Sequence, residues 1–319
     1  MQRPPAYPTI TMTIDKNISI TVIVPFYNAA AHIGQCAESI FAQDFASVEY
    51  IFVDDCSTDS GSKVLEDVLT KYPNRKPFVR LFTNTENKGV AYCRQFALNQ
   101  AHGEYITFCD ADDWMDSDML SSLYEEMTDD TDIVACEYIE EAEKCKKFVR
   151  FTSDRFPTLN IIPIDTLHFS LWNKLIRRSL INSTGAKFFE GINRWEDLGF
   201  FLHIMIREPR IKILQKPFYH YRRSMTSTLT TASMDAVLTD HIHMAEAVEK
   251  LFAENPQVAA KYNHFLNYLK FIAKVKYLRC GTFNFRKWKT TFPEADTRII
   301  TYKNIPLPYR IAFLLAHWL

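Results

Sequence analysis

The first 140 residues alternate between short β-branched runs and stretches whose apolar residues have helical spacing. Residues 18–24 (Ile-Ser-Ile-Thr-Val-Ile-Val) are almost entirely β-branched, as expected of a buried strand. Across 30–42 the apolar residues recur three and four positions apart, which predicts an amphipathic helix. The alternation continues, and strands are predicted at 18–24, 48–53, 78–82, 104–109 and 132–136. These repeats with short connections predict a doubly wound α/β sheet with mostly parallel strands.

The strict alternation ends at about residue 140. We predict an apolar helix over 200–205, a strand over 211–214 and helices from about residue 233 onward. Residues 1–17 contain three prolines and no apolar core. We interpret them as a flexible leader rather than a targeting peptide, with Met12 as an alternative start.

Composition and cysteine usage favour an intracellular globular protein. Hydrophobic residues make up 47% of the chain and charged residues 24%, and no apolar run is long enough to span a bilayer. The seven cysteines are an odd number, form no Cys-x-x-Cys pair, and several lie inside apolar runs. We therefore predict reduced core cysteines and a cytoplasmic location.

The net charge of −1 hides an uneven distribution. Residues 261–319 carry eleven Lys and Arg against two acidic residues, so this segment is +9 and residues 1–260 are −10 by difference. In 263–278 one helical face is apolar, and the other carries Asn263, Asn267, Lys270 and Lys274. A basic amphipathic helix followed by an apolar end predicts peripheral contact of 263–319 with the inner face of the plasma membrane. The alternatives are packing onto the preceding domain and formation of a homodimer; we expect no nucleic-acid partner.

The main candidate for chemistry is an acid cluster at the end of the fourth predicted strand. Asp110, Asp112 and Asp113 lie within four residues, and such a cluster is tolerable on a solvated turn or around a cation. Carboxylates on either side of one residue suit Mn²⁺ or Mg²⁺, which take further ligands from water and substrate phosphates. The alternative is a polar loop in which Asp116 or Ser117 caps the next helix.

Three predicted strand ends converge on one edge of the sheet, where ligands of such folds bind. They read Pro-Phe-Tyr-Asn at 25–28, Asp-Asp-Cys-Ser at 54–57 and Asp-Ala-Asp-Asp at 110–113. The first strand is not followed by Gly-x-Gly-x-x-Gly, and a Walker loop is also absent. The phosphates of a bound nucleotide would therefore be neutralised by a metal ion rather than by a glycine-rich loop.

These motifs, taken in order, resemble the signature of family 2 glycosyltransferases. The matching segments are 21–28, 53–59, Asn-Lys-Gly at 87–89, 103–106, 110–114, Trp-Asn-Lys at 172–174 and Glu-Asp at 196–197. The resemblance implies a GT-A fold and an inverting, metal-dependent enzyme that uses nucleotide sugars. It covers 18–230, which we divide into a nucleotide-binding half (18–136) and an acceptor-side half (137–230), followed by a helical extension (231–319). Two positions depart from the family pattern. Cys56 stands where Gly is common, and the Asn-Lys-Gly motif has Lys88 where Asn-Gly-Gly or a close variant is common.

The resemblance also implies roles for individual residues on the donor side. Tyr27 would border the nucleobase, with Pro25 shaping the same wall, and Asp55 would accept the ring N–H of uracil. Arg94 would lie near the donor diphosphate or sugar. Asp112 would be the principal metal ligand, with Asp110 contacting ribose or the water shell of the metal. From the residues alone, Tyr27 could instead cover the sheet end and Asp55 could cap the next helix.

On the acceptor side, the resemblance implies that Asp197 is the catalytic base, with Glu196 beside it. First-turn acids that complement a helix dipole are the alternative for this pair. Partial burial would raise the pKa of Asp197 and improve it as a base.

Four further residues are candidates on their chemistry. Arg222 suits phosphate geometry, and His220 could be a third metal ligand or a surface or core histidine. Trp172 and Trp195 could flank the acceptor sugar or belong to the core.

We therefore expect a cytoplasmic-face enzyme that moves a sugar from a UDP-sugar to a glycan or lipid-linked acceptor in surface polysaccharide biosynthesis. One alternative is a sugar-1-phosphate nucleotidyltransferase, which needs a glycine-rich basic loop after the first strand; residues 25–28 are neither glycine-rich nor basic. The other is a non-catalytic nucleotide-sugar-binding protein. Retention of Asp197 argues against that alternative.

Overall fold

The computed structural model of the protein describes residues 18–143, 145–151, 169–223, 233–278, 284–296 and 307–318. Within these residues the strands are β1 (Ile20–Phe26), β2 (Val48–Asp54), β3 (Val79–Thr83), β4 (Tyr105–Phe108), β5 (Trp114–Met115), β6 (Ile133–Ala142), β7 (Cys145–Val149), β8 (Lys174–Arg177) and β9 (Ile211–Arg222). The helices are α1 (Ile33–Phe41), α2 (Gly61–Leu69), α3 (Val90–Gln100), α4 (Met119–Glu125), α5 (Arg178–Thr184), α6 (Glu196–Met205), α7 (Met234–Ala253), α8 (Pro256–Tyr277), α9 (Phe285–Thr290) and α10 (Leu307–Trp318).

These strands form one mixed sheet in the order β3-β2-β1-β4-β8-β6-β9-β5, with β7 paired to β6. The β1–β2, β1–β4 and β2–β3 pairs are parallel, as the alternating pattern predicts. The strand β8 lies between β4 and β6 and is antiparallel to both. The predicted α/β sheet flanked by helices is confirmed, and its parallel part is the half that the sequence pattern describes best.

The second half of the sheet departs from the predicted strand boundaries. The strand predicted at 132–136 continues to Ala142, and the one predicted at 211–214 continues through Pro217 to Arg222. Proline interrupts a strand pattern, and here the register of β6 and β9 shifts where Pro217 meets Glu137. The strands β5, β7 and β8 have two, five and four residues and were not predicted, because runs this short or this exposed show no clear period.

Alternate residues of the parallel strands pack into two cores on opposite faces of the sheet. In β2, Tyr50 and Phe52 join a cluster with α1, α2 and α4, whereas Ile51 and Val53 join a cluster with α3 and α6. The second cluster also receives Met244 from α7 and other residues from α8. Helices α7 and α8 thus pack onto the sheet domain. Packing onto the preceding domain was one of the two alternatives to membrane contact that we considered from the sequence.

The prediction of a second, exposed basic face on α8 is wrong for its two central lysines. Lys274 is 0% exposed and forms a 2.8 Å ion pair with Asp296. Lys270, also buried, contacts Glu249 at 2.6 Å and Glu294 at 2.5 Å. The acidic partners lie on other elements, so helical periodicity alone gives no sign of them. No helix in the described part of the chain has both the length and the apolar composition needed to cross a bilayer.

Candidate active site

The loops that follow β1 and β2 are joined at the carboxyl edge of the sheet. The Asp55 amide donates to the Phe26 carbonyl at 2.9 Å, and the Asn28 side chain accepts from the Thr58 amide at 2.8 Å. Both loops contain a residue in the left-handed region, Asn28 (φ 49°) and Cys56 (φ 65°). Such conformations are uncommon for residues other than glycine and concentrate at functional sites.

Two residues predicted to meet the nucleobase lie beside these loops. Pro25 is buried within β1, and Tyr27 is 37% exposed just beyond the strand end. The exposed ring of Tyr27 is therefore available to stack on a ligand. A contact between Tyr27 and a nucleobase stays a prediction.

The buried carboxylate of Asp55 binds the loop that precedes α3. It accepts hydrogen bonds from the Asn84 side chain at 2.8 Å, from the Lys88 amide at 2.8 Å and from the Gly89 amide at 2.7 Å. Helix α2 begins only at Gly61, so the alternative that Asp55 caps the next helix is wrong. Asp55 instead fixes a loop at the predicted nucleotide end of the sheet.

The acid triplet after β4 separates into one buried and two partly buried carboxyl groups. Asp113 is buried and accepts from the Tyr219 hydroxyl at 2.9 Å and from the Arg222 amide at 2.7 Å. Burial and the charges of Asp110 and Asp112 raise its pKa. Burial and the charge of Asp110 also raise the pKa of Asp112, to about 6. Asp113 is thus structural, whereas Asp110 and Asp112 remain reachable from the edge of the sheet.

Arg94 joins this acid cluster to the acid pair that lies 102 residues further along the chain. Its guanidinium is 5% exposed and contacts Asp110 Oδ1 at 2.7 Å and Glu196 Oε1 at 2.5 Å. Burial alone would lower the pKa of Arg94, but Asp110, Glu196 and Asp197 raise it, so the guanidinium stays charged. The predicted donor-side and acceptor-side carboxylates therefore lie in one cluster around one cation.

The acid pair begins α6 directly after a left-handed residue. Trp195 has φ 63°, and Glu196 and Asp197 form the first turn. Burial and the neighbouring Asp197 charge raise the pKa of Glu196 to about 7, although Arg94 opposes this. Burial and Asp110 raise the pKa of Asp197, while Arg94 and Lys174 oppose the rise.

The two oxygens of Asp197 differ in their contacts. Oδ1 accepts from the Leu198 amide at 2.7 Å, and Oδ2 makes no hydrogen bond within the described part of the chain. Asp197 is partly exposed, whereas Glu196 is buried against Arg94. Asp197 is thus the member of the pair with an oxygen available to a substrate.

Arg222 lies at the acid cluster, as a diphosphate-binding residue would. Its Nε donates to the Asp112 carbonyl at 2.8 Å, and its guanidinium lies 4.7 Å from the centre of the Trp114 ring. Its terminal nitrogen donates to Gln35 Oε1 at 2.5 Å. Binding of a diphosphate by Arg222 stays a prediction.

The prediction that His220 is a metal ligand is wrong for this arrangement. Its Nδ1 lies 2.9 Å from Glu141 Oε1 and its Nε2 lies 3.0 Å from Asp116 Oδ1. The ring also stacks on Trp114, with 5.0 Å between centroids. Both nitrogens face carboxylates other than Asp110 and Asp112, which a sequence cannot show because β5 and β9 meet only in the fold.

Asp110 and Asp112 are suitable ligands for a divalent cation. In the described ranges, no three His, Cys, Asp or Glu side chains are grouped to hold a metal ion. Burial and, after it, the neighbouring charge of Asp110 raise the pKa of Asp112, and a bound cation would oppose both effects. Hard carboxylate oxygens in this setting fit Mn²⁺ or Mg²⁺, which complete their shells with water and phosphate.

The two candidate tryptophans lie in different environments. Trp172 is 7% exposed and stacks on Tyr219 at 4.5 Å and on Tyr221 at 5.6 Å, so it belongs to the core and its predicted acceptor role is wrong. Trp195 is partly buried beside the acid pair, and its ring lies 4.0 Å from that of His241 in α7. An acceptor role for Trp195 stays a prediction.

Sequence reasoning missed two buried residues that support the acid cluster and the acid pair. The Tyr219 hydroxyl accepts from the Asp110 amide at 3.1 Å and donates to Asp113. The ammonium of Lys174 is fully buried, with donors directed to the Ser170 carbonyl at 2.5 Å and Asn173 Oδ1 at 2.8 Å. The aromatic run on β9 was a usable signal for Tyr219, whereas Lys174 was noted only as part of a motif.

Comparison with known proteins identifies the group to which this site belongs. The family model described as "Glycosyl transferase family 2" matches residues 21–185. EpsH of Bacillus subtilis (strain 168), which carries a glycosyltransferase name, is 30% identical over 220 residues. That match spans 66% of this chain and 62% of EpsH, so less than two thirds of that relative's length is covered.

Solved structures show the same fold. The structure of residues 1–349 of TarS from S. aureus in complex with UDP-GlcNAc matches with a TM-score of 0.62 and 22% identity, covering 88% of this chain and 79% of that one. The mannosyltransferase PcManGT from Pyrobaculum calidifontis in complex with GDP-Man and Mn²⁺ matches with a TM-score of 0.55 and 19% identity, covering 95% and 86%. These similarities confirm the GT-A fold that the resemblance implied.

Proposed function

The chain belongs to glycosyl transferase family 2, and on that premise we propose that it is an inverting transferase that moves a sugar from a UDP-sugar to a glycan or lipid-linked acceptor. The observation that carries this proposal is the position of Arg94 between Asp110 and Glu196. Transfer requires the leaving nucleotide and the acceptor hydroxyl to meet at one anomeric carbon. A single cation that contacts both acid groups supports a shared cavity for the two substrates.

Asp197 is the base in this proposal. Its Oδ2 takes the proton of the acceptor hydroxyl while the acceptor oxygen bonds to the anomeric carbon and the bond to the diphosphate breaks. A raised pKa brings the carboxylate closer to the working pH and strengthens it as a proton acceptor. Glu196, paired with Arg94, keeps that guanidinium directed at the cluster.

The departing diphosphate develops negative charge, which Arg222 and Arg94 would offset. Asp112 and Asp110 would hold Mn²⁺ or Mg²⁺, and the bound ion would supply further positive charge to the diphosphate. Tyr27 would stack on the base, beside the wall shaped by Pro25. Uracil is the base favoured by the resemblance, and TarS, which binds UDP-GlcNAc, has the same fold.

The acceptor class rests on named relatives. Curated TarS of Staphylococcus aureus, a poly(ribitol-phosphate) β-N-acetylglucosaminyltransferase, is 28% identical over 209 residues, which is 64% of this chain and 35% of TarS. A polymerase of teichoic acid in Staphylococcus epidermidis is also a relative. We therefore place the chain in the biosynthesis of a cell-surface polysaccharide or related polymer.

Peripheral contact with the cytoplasmic face of the membrane is part of the same proposal, with α9 and α10 as the contact surface. Leu307, Ile311 and Leu315 recur every four residues and are 58%, 47% and 60% exposed, whereas Phe313 is buried. An exposed apolar stripe on α10, together with exposed basic residues on α9, is typical of a surface that lies on anionic lipid. The variant Ile311→Ser/Leu315→Ser should lose flotation with anionic liposomes, and unchanged flotation would remove this part of the proposal.

The catalytic part is tested by UDP release from a panel of UDP-sugars with Mn²⁺ and with EDTA. For the donor that turns over, Asp197→Asn should reduce turnover by about 10²- to 10⁴-fold while UDP binding by calorimetry stays within about three-fold. Asp44→Asn, an exposed aspartate on another loop, is the matched control. Turnover of Asp197→Asn within about ten-fold of the wild type would contradict the role of Asp197 as base.

A further inference from the structure

We propose that Asn193 is a positioning residue that holds the Glu196–Asp197 pair in register with the nucleotide end of the sheet. The inference rests on the proposed function for its effect on catalysis. Its structural part, a contact that joins the loop before α3 to the loop before α6, is independent of the substrate.

The first contact is with Gly89. This glycine has φ +86°, and a Cβ atom built on it would lie 2.2 Å from Asn193 Oδ1 and 2.4 Å from Asn193 Nδ2. The amide of Asn193 thus occupies the space that any side chain at position 89 would need. Both the backbone conformation and this close approach require glycine.

The second contact is with the start of α3. Asn193 Oδ1 accepts a hydrogen bond from the Ala91 amide at 3.3 Å. The first four amides of a helix have no partner within the helix, so a side chain from elsewhere satisfies one of them here. The cap of α3 is supplied by a residue 102 positions away.

These contacts close a ring through the site. Asp55 binds the amides of Lys88 and Gly89, and Asn193 holds the other side of the same turn. Two residues after Asn193, Trp195 in the left-handed conformation directly precedes α6. The ring is completed where Arg94, one turn into α3, contacts the first residue of α6, Glu196.

The ring predicts which step depends on Asn193. Asn193 contacts the loop before α3, whereas Tyr27, the residue proposed to stack on the base, follows β1, so UDP affinity should change little when the amide is removed. Of the two polar contacts described above between α3 and the segment that leads into the acid pair, the one made by Asn193 would be lost and the Arg94–Glu196 ion pair would remain. Because turnover is sensitive to displacements of about 1 Å, kcat should fall more than KM rises.

The test compares Asn193→Ala with Asn182→Ala, an exposed asparagine of α5 that serves as the matched control. Asn193→Ala should lower kcat by about 10- to 100-fold, with the donor KM and the Kd of UDP within about two-fold of the wild type. Asn193→Asp keeps an oxygen acceptor for the Ala91 amide and should recover most of the lost kcat. A loss of kcat equal in both Asn193 variants would overturn the proposal.

Hydrogen exchange of the ligand-free protein keeps the structural part testable without turnover. Asn193→Ala should speed exchange in 88–93 and also in 194–199, whereas Asn182→Ala should change neither segment. Faster exchange confined to 88–93 would show a local cap only and would overturn the link to the acid pair. If no UDP-sugar reacts with the wild type, the proposed function fails, while the exchange result still decides the link.

Discussion

Glu196→Gln is the substitution that best separates the two members of the acid pair. The pKa of Glu196 lies at about 7, against an ordinary 4.5, with burial as the largest cause and the Asp197 charge as a further one. The glutamine keeps an Oε1 acceptor for Arg94 but removes the negative charge. We therefore expect the pKa of Asp197 to fall, because Arg94, whose charge already lowers it, is no longer shared with the carboxylate of Glu196.

The size of the effect depends on the balance of causes at Asp197. Burial is the largest cause of its raised pKa and Arg94 is the largest opposing one, so removing the competing carboxylate strengthens an effect that is already present. A base acts when deprotonated, so the rate rises with pH through its pKa. A lower pKa of Asp197 moves this ascending limb toward lower pH. The two carboxyls titrate as a pair, so the wild-type limb belongs to both together.

The assay is the rate of UDP release between about pH 5 and pH 9 at saturating donor and acceptor. Saturating Mn²⁺ keeps Asp112 ionised across this range, since metal binding competes with protonation. Glu190→Gln, an exposed glutamate in the loop before α6, is the matched control and should keep the wild-type limb. An unchanged or upward-shifted limb in Glu196→Gln would refute the reasoning. A loss of plateau rate as large as that of Asp197→Asn would make Glu196 the base.

Three further substitutions test the metal ligand, the extension and the strained loop. With UDP present, Mn²⁺ should raise the melting temperature more at pH 8 than at pH 5, because Asp112, whose pKa is about 6, must be deprotonated to bind the metal. The variant Asp112→Asn should abolish this rise at both pH values. Lys274→Met removes one member of a buried ion pair and leaves Asp296 charged, so denaturant unfolding should show a loss of about 3–5 kcal/mol; a loss below about 1 kcal/mol would contradict this. Cys56→Gly relieves a left-handed residue and should raise the free energy of unfolding by about 1 kcal/mol, seen as a melting temperature about 2–4 °C higher; a lower value would contradict the strain.

Most of the parallel half of the sheet was predictable because β1, β2 and β4 are buried on both faces. A run such as 18–24, which is almost entirely β-branched, is typical of a strand that neighbouring strands and helices cover on both faces. The second half has an antiparallel strand, a short exposed hairpin strand and a proline within β9. Each of these breaks the periodicity on which a sequence prediction depends.

The residues of the site were predictable by type but not by environment. Asp110, Asp112 and Asp113 are chemically alike in the sequence, yet burial separates Asp113, which binds Tyr219 and the Arg222 amide, from the other two. The family resemblance likewise assigned Arg94 only to the donor side. Its contact with Glu196 spans 102 residues, and no local pattern carries information about such a pair.

The C-terminal extension shows why a charged helical face does not by itself indicate a surface. Its helix α7 holds Asp240, which forms a 2.7 Å ion pair with Arg194, and His241, whose ring lies 4.0 Å from that of Trp195. Burial lowers the pKa of His241 to about 4, so the ring packs on Trp195 in its neutral form at physiological pH. The two residues that precede Glu196 are therefore held from α7. The backbone of Trp195 is in the left-handed region, and the packing of His241 on its ring helps to maintain this unfavourable conformation. The C-terminal extension thus helps to hold the acid pair in place. The charge pattern of α8 suggested a separate membrane anchor, but its two lysines Lys270 and Lys274 form buried ion pairs inside the extension.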